Sequence, residues 1–322
     1  MPDYVRITDV SPRDGLQNEP GIIPTPEKVR LIELLAQTGV DEIEVTSFVS
    51  PKWVPQLGDA KEVLQVLNVR GRATPPEYAV LVPNAKGFES GLSLDVFDAI
   101  DKIALFTAAS ETFSRKNTNC SIAESIERFR PLVLRAHDQR WHVRAYVSTV
   151  IACPFEGPMD PERVADVVER FAALEPDEID LGDTIGAGTP ETVQDLLQAV
   201  RRRIDPMYFE YRGGLTLHLH DTFARAKDCV LAALDMGVRS FDGSVAGLGG
   251  CPYASKKLPN GTIQRAPGNI STELLVRTIH AAGYETGVDL DRLAEAAAYA
   301  QDIVTKSRSA SAQAESGGSK SS

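Results

Sequence analysis

Most of the residues that build small stapled or metal-clustered scaffolds are scarce in this chain. The four cysteines, Cys120, Cys153, Cys229 and Cys251, are scattered over 322 residues with no C-x-x-C pair. That pattern indicates neither a cysteine zinc cluster nor a disulfide framework, and it fits a reducing cytoplasm. Basic residues are outnumbered, with 34 Lys and Arg against 45 Asp and Glu and a formal charge of −11. A general nucleic-acid binder needs the opposite balance, because its affinity comes from neutralising phosphates. An anionic substrate must therefore be met by local positive charge. No long apolar stretch points to a membrane, and no basic or Arg-rich leader precedes the first strand-like segment, so a cytoplasmic location is expected. The first strand is not followed by a Gly-rich phosphate turn, which argues against a doubly wound nucleotide fold.

Hydrophobic residues at 43% and charged residues at 25% suffice for one large core with an ordinary surface. Short apolar runs alternate with helix-length amphipathic stretches, as in βα units that build a parallel sheet. Strands are expected at Val5–Asp9, Glu42–Val45, Ala79–Val82, Lys102–Phe106, Val143–Val150, Glu178–Leu181, Leu215–Leu219 and Ser240–Ser244. Helical patterns fall at Thr25–Thr38, Ser121–His137, Pro161–Leu174, Pro190–Ile204 and Thr222–Met236, and Thr25, Asp160 and Thr189 read as caps before a first-turn proline. The implied fold is α/β, a (β/α)₈ TIM barrel spanning 1–305, including a glycine-rich loop over 247–269. Its active site lies at the C-terminal ends of the strands. The Ser/Ala/Gly-rich residues 306–322 bury too little to offset ordering entropy and read as a disordered tail.

The polar residues with chemical potential cluster at those strand ends. In Leu215–Asp221 the leucines alternate with His218 and His220, so both imidazoles share one face and can reach a common ion. Taken alone, the pair fits a hydrogen-bonded strand face equally well. Arg13-Asp14 follows the first strand and supplies a planar donor fork beside a carboxylate; in isolation it reads as a solvated turn. Barrel closure changes this, because it brings the first and seventh strand ends to one mouth. Glu44 and Asp183 lie at two further strand ends. Cys251 sits in Gly247-Leu248-Gly249-Gly250-Cys251-Pro252-Tyr253, a loop able to bend sharply and present a thiol as a proton donor, although a free Cys is more often a small buried hydrophobe. His137, His142 and His280 receive no role, and Arg201–Arg203 reads as a solvated helix end.

These segments resemble those of the 3-hydroxy-3-methylglutaryl-CoA lyase family, of the DRE-TIM metallolyases. The resemblance rests on Ser11–Glu19, Thr46–Gln56, Leu181–Gly186, His218–Thr222 and Gly247–Ala254, in one order along about residues 4–305. It implies Asp14, His218, His220 and Asn269 as ligands of Mg²⁺ or Mn²⁺, with no other cofactor. It also implies Arg13 as the group polarising the thioester carbonyl, Glu44 and Asp183 as acidic residues near the metal and hydroxyl, and Cys251 as the loop thiol. Gln17, Asn117 and Tyr146 become substrate-binding candidates. The implied reaction cleaves a branched 3-hydroxyacyl-CoA to acetyl-CoA and a 3-keto acid, with His218 or alternatively Asp14 as base, in a homodimer. The link Ser255–Pro267 is longer than the family's; its Lys256, Lys257 and Arg265 are candidates for a CoA phosphate or substrate carboxylate, and the alternative is a solvated insertion. Its Asn260 is a rival amide to Asn269 but reads as a turn residue. Asp180, where the family usually has Ser, is expected near the mouth, where it would act on substrate choice. Competing readings are a Claisen-condensing synthase of the same superfamily and a metal-dependent barrel hydrolase.

Overall fold

The structure, a computed structural model, describes residues 3–70, 76–93, 99–211, 213–254, 256–257, 263–264 and 266–318. Eight parallel strands close into a barrel: β1 Arg6–Asp9, β2 Glu42–Ser47, β3 Glu77–Leu81, β4 Lys102–Ala108, β5 His142–Ser148, β6 Glu178–Asp183, β7 Leu215–Leu219 and β8 Ser240–Gly243. Each pairs with its sequence neighbours, and β1 pairs with β8 from Arg6↔Ser240 to Asp9↔Gly243 to complete the ring.

The helices are α1 Thr25–Leu35, α2 Ala60–Arg70, α3 Ala85–Leu92, α4 Glu111–Thr118, α5 Ile122–Asp138, α6 Pro161–Ala172, α7 Pro190–Arg201, α8 Met207–Glu210, α9 Ala226–Asp235, α10 Thr272–Ala281 and α11 Leu290–Gly318. Their apolar stripes cover the outer face of the strands, so that Val5, Ile7, Ile43, Val143, Ala145, Ile179, Leu181 and Phe241 are fully buried. Asp160 and Thr189 cap α6 and α7 by accepting from the Glu162 and Thr192 amides. Thr25 does not cap: it is the first residue of α1, with Pro24 at the cap position, and its hydroxyl donates to Asp59 at 2.7 Å.

The inside of the barrel is largely ionic, with one small apolar cluster of Leu81, Ala104 and Tyr146 on β3 to β5. Arg144 of β5 reaches across the lumen to Thr8 of β1 (2.9 Å), Glu42 of β2 (3.1 Å), Glu178 of β6 (2.9 Å) and Asp242 of β8 (3.1 Å). At the N-terminal end, Lys102 lies between Glu42 and Glu178 at 2.5 and 2.7 Å. Branched apolar side chains usually fill this space; here strand period 2 places charge inward and hydrocarbon outward.

Beyond residue 306 the chain continues as helix to Gly318, where composition reads as a disordered tail. The physical reason lies in tertiary contacts. Ser307 is buried and donates to the Gly21 carbonyl at 2.7 Å, and Arg308 binds both oxygens of Glu19 at 2.8 and 2.7 Å.

Candidate metal and catalytic centre

Asp14 and Arg13 lie in a π-type helical turn, Ser11–Gly15, that leaves β1. The turn is held by Asp9, which accepts from the Ser11 amide at 2.9 Å, and by Ser11, whose hydroxyl accepts from the Val245 amide at 2.7 Å. Both chain segments beyond β1 and β8 are thereby locked together, and the turn aims Asp14 at the end of β7. There the His218 and His220 Nε2 atoms stand 3.2 Å apart. Donor atoms of Asp14, His218 and His220 all lie within 4.8 Å of one another.

Asn269 completes the group. A bridge between His220 and Asn269 and the Ile270 amide bonded to Leu219 (2.9 Å) zip this segment onto β7. The Asn269 amide nitrogen donates to Asp14 at 2.8 Å and to the Leu248 carbonyl at 3.0 Å, leaving its Oδ1 buried without a partner. Two imidazole nitrogens facing each other, a carboxylate and an orphaned amide oxygen make a donor set that suits an octahedral divalent cation. The residues fit such an ion.

Electrostatics divides these groups. Burial alone would raise the Asp14 carboxyl, but Arg13, His218, His220 and the Asn269 hydrogen bond together hold it at about 2. Burial disfavours charge on both histidines. For His220 it prevails, with help from His218, and the ring is pushed down to about 4. For His218 it is outweighed by Asp242, which meets Nδ1 at 3.0 Å, so its basicity rises. A carboxylate behind a ligating imidazole fixes its tautomer and orientation.

Arg13 is buried and donates from Nε to Glu44 at 2.6 Å and from Nη1 to Asp14 at 2.8 Å. Glu44 thus holds Arg13 and is not a member of the donor set. Tyr146 is also buried: its hydroxyl accepts from Arg144 at 3.0 Å and meets Asp242 at 3.2 Å, and its ring stands edge-on to His218 at 6.2 Å. Asp183 accepts from the Ala187 and Gly188 amides at 3.0 and 2.7 Å, shaping the loop before α7, and burial raises it to about 6. Gln17 is half-buried and Asn117 is exposed on α4; among the described contacts neither joins the Asp14 group.

The glycine loop lies directly against the centre. A Cβ on Gly249 would come within 2.7 Å of the Asn269 amide nitrogen and 3.1 Å of Asp14 Oδ2, and Gly249 has φ +101°. Cys251, two residues on, is buried. Lys256 and Lys257 form a two-residue strand paired with Ile263–Gln264, while their side chains lie outside the described residues, as do Ser255, Leu258–Thr262 with Asn260, and Arg265.

Asp180 is not at the mouth. It is fully buried, pairs in register with Thr216 one layer below His218, and lies 3.6 Å from Arg144. Sequence reasoning missed Asp242 and Arg144 as supports of the centre. The available signal was polar residues two apart on single strands, Glu42/Glu44, Arg144/Tyr146, Glu178/Asp180 and Ser240/Asp242, which marks a polar lumen.

Fold and centre together define a (β/α)₈-barrel protein with a possible metal site at the C-terminal rim of its strands. The HMGL-like family model matches residues 4–299, and the chain belongs to the HMGL-like family. It is 45% identical to the mitochondrial hydroxymethylglutaryl-CoA lyase of Macaca fascicularis over 315 residues, 98% of this chain and 90% of that one. The crystal structure of the HMG-CoA lyase from Brucella melitensis superposes with a TM-score of 0.84 at 44% identity, covering 94% of this chain and 99% of that one. A lyase from A. baumannii, solved with coenzyme A and 3-methylmalate, gives 0.81 at 34% identity, covering 94% and 92%.

Proposed function

We propose that this chain is a divalent-metal-dependent carbon–carbon lyase that cleaves 3-hydroxy-3-methylglutaryl-CoA, or a closely related branched 3-hydroxyacyl-CoA, to acetyl-CoA and a 3-keto acid. For the parent substrate that acid is acetoacetate. The observation that carries the reading is the convergence of Arg13, Asp14, His218, His220 and Asn269 at one barrel mouth, in a chain similar to named lyases across nearly its full length. Residues 1–305, with the loop 247–269, are the catalytic unit in this reading.

Asp14, His218, His220 and Asn269 Oδ1 would hold Mg²⁺ or Mn²⁺. When bound, such an ion supplies Lewis acidity that lowers the pKa of the C3 hydroxyl and orients the substrate. In this reading the hydroxyl proton passes to His218, or alternatively to Asp14. As the C2–C3 bond breaks, its electron pair moves onto the thioester and C3 becomes a ketone. Arg13, kept charged and aimed by Glu44, stabilises the developing oxyanion. The Cys251 thiol then delivers its proton to C2, giving acetyl-CoA. Shielding by the glycine loop keeps bulk water from the enolate.

Gln17, Asn117, Lys256 and Lys257 are the proposed contacts to the acyl-CoA, whereas Tyr146, the remaining substrate-binding candidate, lies against Asp242 and edge-on to His218 and would act through those residues. No described helix is long and apolar enough to cross a membrane. Relatives of similar identity are named both mitochondrial and cytoplasmic; the cytoplasmic reading and a homodimer complete the proposal. The test is cleavage of 3-hydroxy-3-methylglutaryl-CoA by Mg²⁺- or Mn²⁺-loaded protein, followed by mass spectrometry of both products. EDTA-sensitive cleavage is expected. A folded, metal-loaded protein that leaves the thioester intact refutes the substrate, and turnover that survives complete metal removal refutes the mechanism.

A further inference from the structure

We propose that the glycine loop is clamped on both sides of Cys251, with Asn18 and Phe155 acting as positioning residues for its thiol. The inference rests on the reading of Cys251 as the proton donor to the enolate.

The need for clamps comes from the loop's own backbone. Gly249 and Gly250 adopt φ +101° and +122°, a region that only glycine enters freely, and glycine contributes no stiffness of its own. Proton transfer requires hydrogen-bond reach, so a loop with such a hinge is placed more precisely by contacts that fix it on either side of the thiol.

On the N-terminal side the restraint is polar. Asn18 Nδ2 donates to the carbonyl of Gly250, the residue before Cys251, at 3.1 Å. Asn18 is itself braced, because its neighbour Glu19 is almost fully buried and receives two hydrogen bonds from Arg308 of α11, at 2.8 and 2.7 Å. The clamp thus runs from the C-terminal helix through Glu19 and Asn18 to the loop.

On the C-terminal side the restraint is aromatic. Tyr253, two residues past Cys251, packs edge-to-face on Phe155 with centroids 5.0 Å apart and on Phe113 at 6.2 Å. Phe113 belongs to α4, and Phe155 to the turn between Ala152–Cys153 and Gly157–Pro158, which follows β5. Lys116 lies 4.7 Å over the Phe155 ring and completes the platform. Edge-to-face pairs at these separations are directional as well as apolar, so they fix the angle of the loop and not only its proximity. Phe155 and Tyr253 remain partly exposed, so neither is needed to fill the barrel's core.

The experiment uses Mn²⁺-loaded Asn18→Ala and Phe155→Ala, with Phe155→Tyr as the conservative variant. Iodoacetamide alkylation is followed for each cysteine by mass spectrometry, together with deuterium exchange into the methyl group of acetyl-CoA, the microscopic reverse of the Cys251 step. Each alanine variant is expected to raise the Cys251 alkylation rate roughly fivefold, the scale of one hydrogen bond or one aromatic pair. Cys229, buried on α9, is expected to keep its wild-type rate, and Phe155→Tyr to restore the Cys251 rate. Methyl exchange slows in both alanine variants, and kcat falls more than KM rises. An unchanged Cys251 rate, or a parallel rise at Cys229, overturns the clamp. Failure of the underlying reading is separate: wild-type methyl exchange in Cys251→Ser removes the thiol as proton donor, while the alkylation rates still judge the clamp.

Discussion

Replacing Arg13 by Gln separates catalysis from stability. In the native site the guanidinium is 8% exposed, contacts Glu44 at 2.5 and 2.6 Å and Asp14 at 2.8 Å. Burial opposes its charge, but Glu44 and then Asp14 more than compensate and raise it above its ordinary value. Gln keeps part of the volume and loses the charge that the proposed mechanism places opposite the thioester oxygen. A donor of this kind is worth roughly 100- to 1000-fold in kcat, about 3–4 kcal/mol. Stability responds through Glu44, which has no exposed side-chain surface. Left charged and unpaired it would cost about 3–5 kcal/mol. Burial already raises the Glu44 carboxyl against the pull of Arg13, so loss of Arg13 raises it further and a proton limits the damage. A carboxyl whose folded pKa is raised contributes fully below its unfolded pKa and loses that contribution as pH rises through the folded value. The gap in melting temperature between wild type and variant is therefore smallest at low pH, where Glu44 is protonated in both proteins, and widens as pH rises. Turnover of the metal-loaded variant and circular-dichroism melts across that range provide the assay. Turnover within about tenfold of wild type, or a pH-independent melting gap, refutes the assignment.

Cys251→Ser is expected to slow turnover by roughly 100- to 10,000-fold, the range for loss of a general acid, with metal content unchanged; wild-type rates contradict its role. Asp242→Asn removes the carboxylate behind His218 and should weaken Mn²⁺ binding about 10- to 100-fold by calorimetry, so an unchanged affinity would show that the 3.0 Å contact does not orient the ring. Asp180→Asn should leave the melting temperature close to wild type at neutral pH, because burial and the neighbouring Asp242 charge favour the protonated acid at Asp180. Destabilisation as large as that of Asp242→Asn would show instead that Asp180 is charged.

The strands were legible because their outer faces are uniformly apolar. Leu215, Leu217 and Leu219 mark β7 to the residue, and the remaining strand ends either coincide with expectation or differ from it by one or two residues. Arg13, Asp14, His218 and His220 were legible as strand-end residues once closure of the barrel was assumed. What stayed hidden depends on contacts between residues far apart in sequence. Nothing local to Ser307 and Arg308 reveals that Gly21 and Glu19 await them. Nothing local to Thr25 shows that Asp59 draws its hydroxyl away from capping. For Glu44, which the resemblance gives as an acid near the metal and hydroxyl, nothing local shows that Arg13 is its direct partner.

The lumen explains why Asp180 is tolerated where the family usually carries Ser. Three cations, Lys102, Arg144 and Arg13, face five carboxyls, Glu42, Glu44, Glu178, Asp180 and Asp242, in a space with almost no water access. If all were ionised, the lumen would hold two uncompensated negative charges at low dielectric, a cost that is relieved by binding protons. Asp180 is the natural acceptor: its buried oxygens receive no hydrogen bond from any donor, Arg144 is no closer than 3.6 Å, and the neighbouring Asp242 carboxylate favours the protonated acid. Asp242, by contrast, is held ionised by Arg144 and His218 against its burial. A neutral Asp180 therefore leaves the Asp242–His218 contact intact. The negative field that remains after Arg13 is counted, added to Asp14 at the rim, favours further positive charge at the mouth, where the four candidate ligands would hold a dication. The polar lumen and the rim cluster thus form one electrostatic arrangement, in which acids lower in the barrel support the charge needed above them.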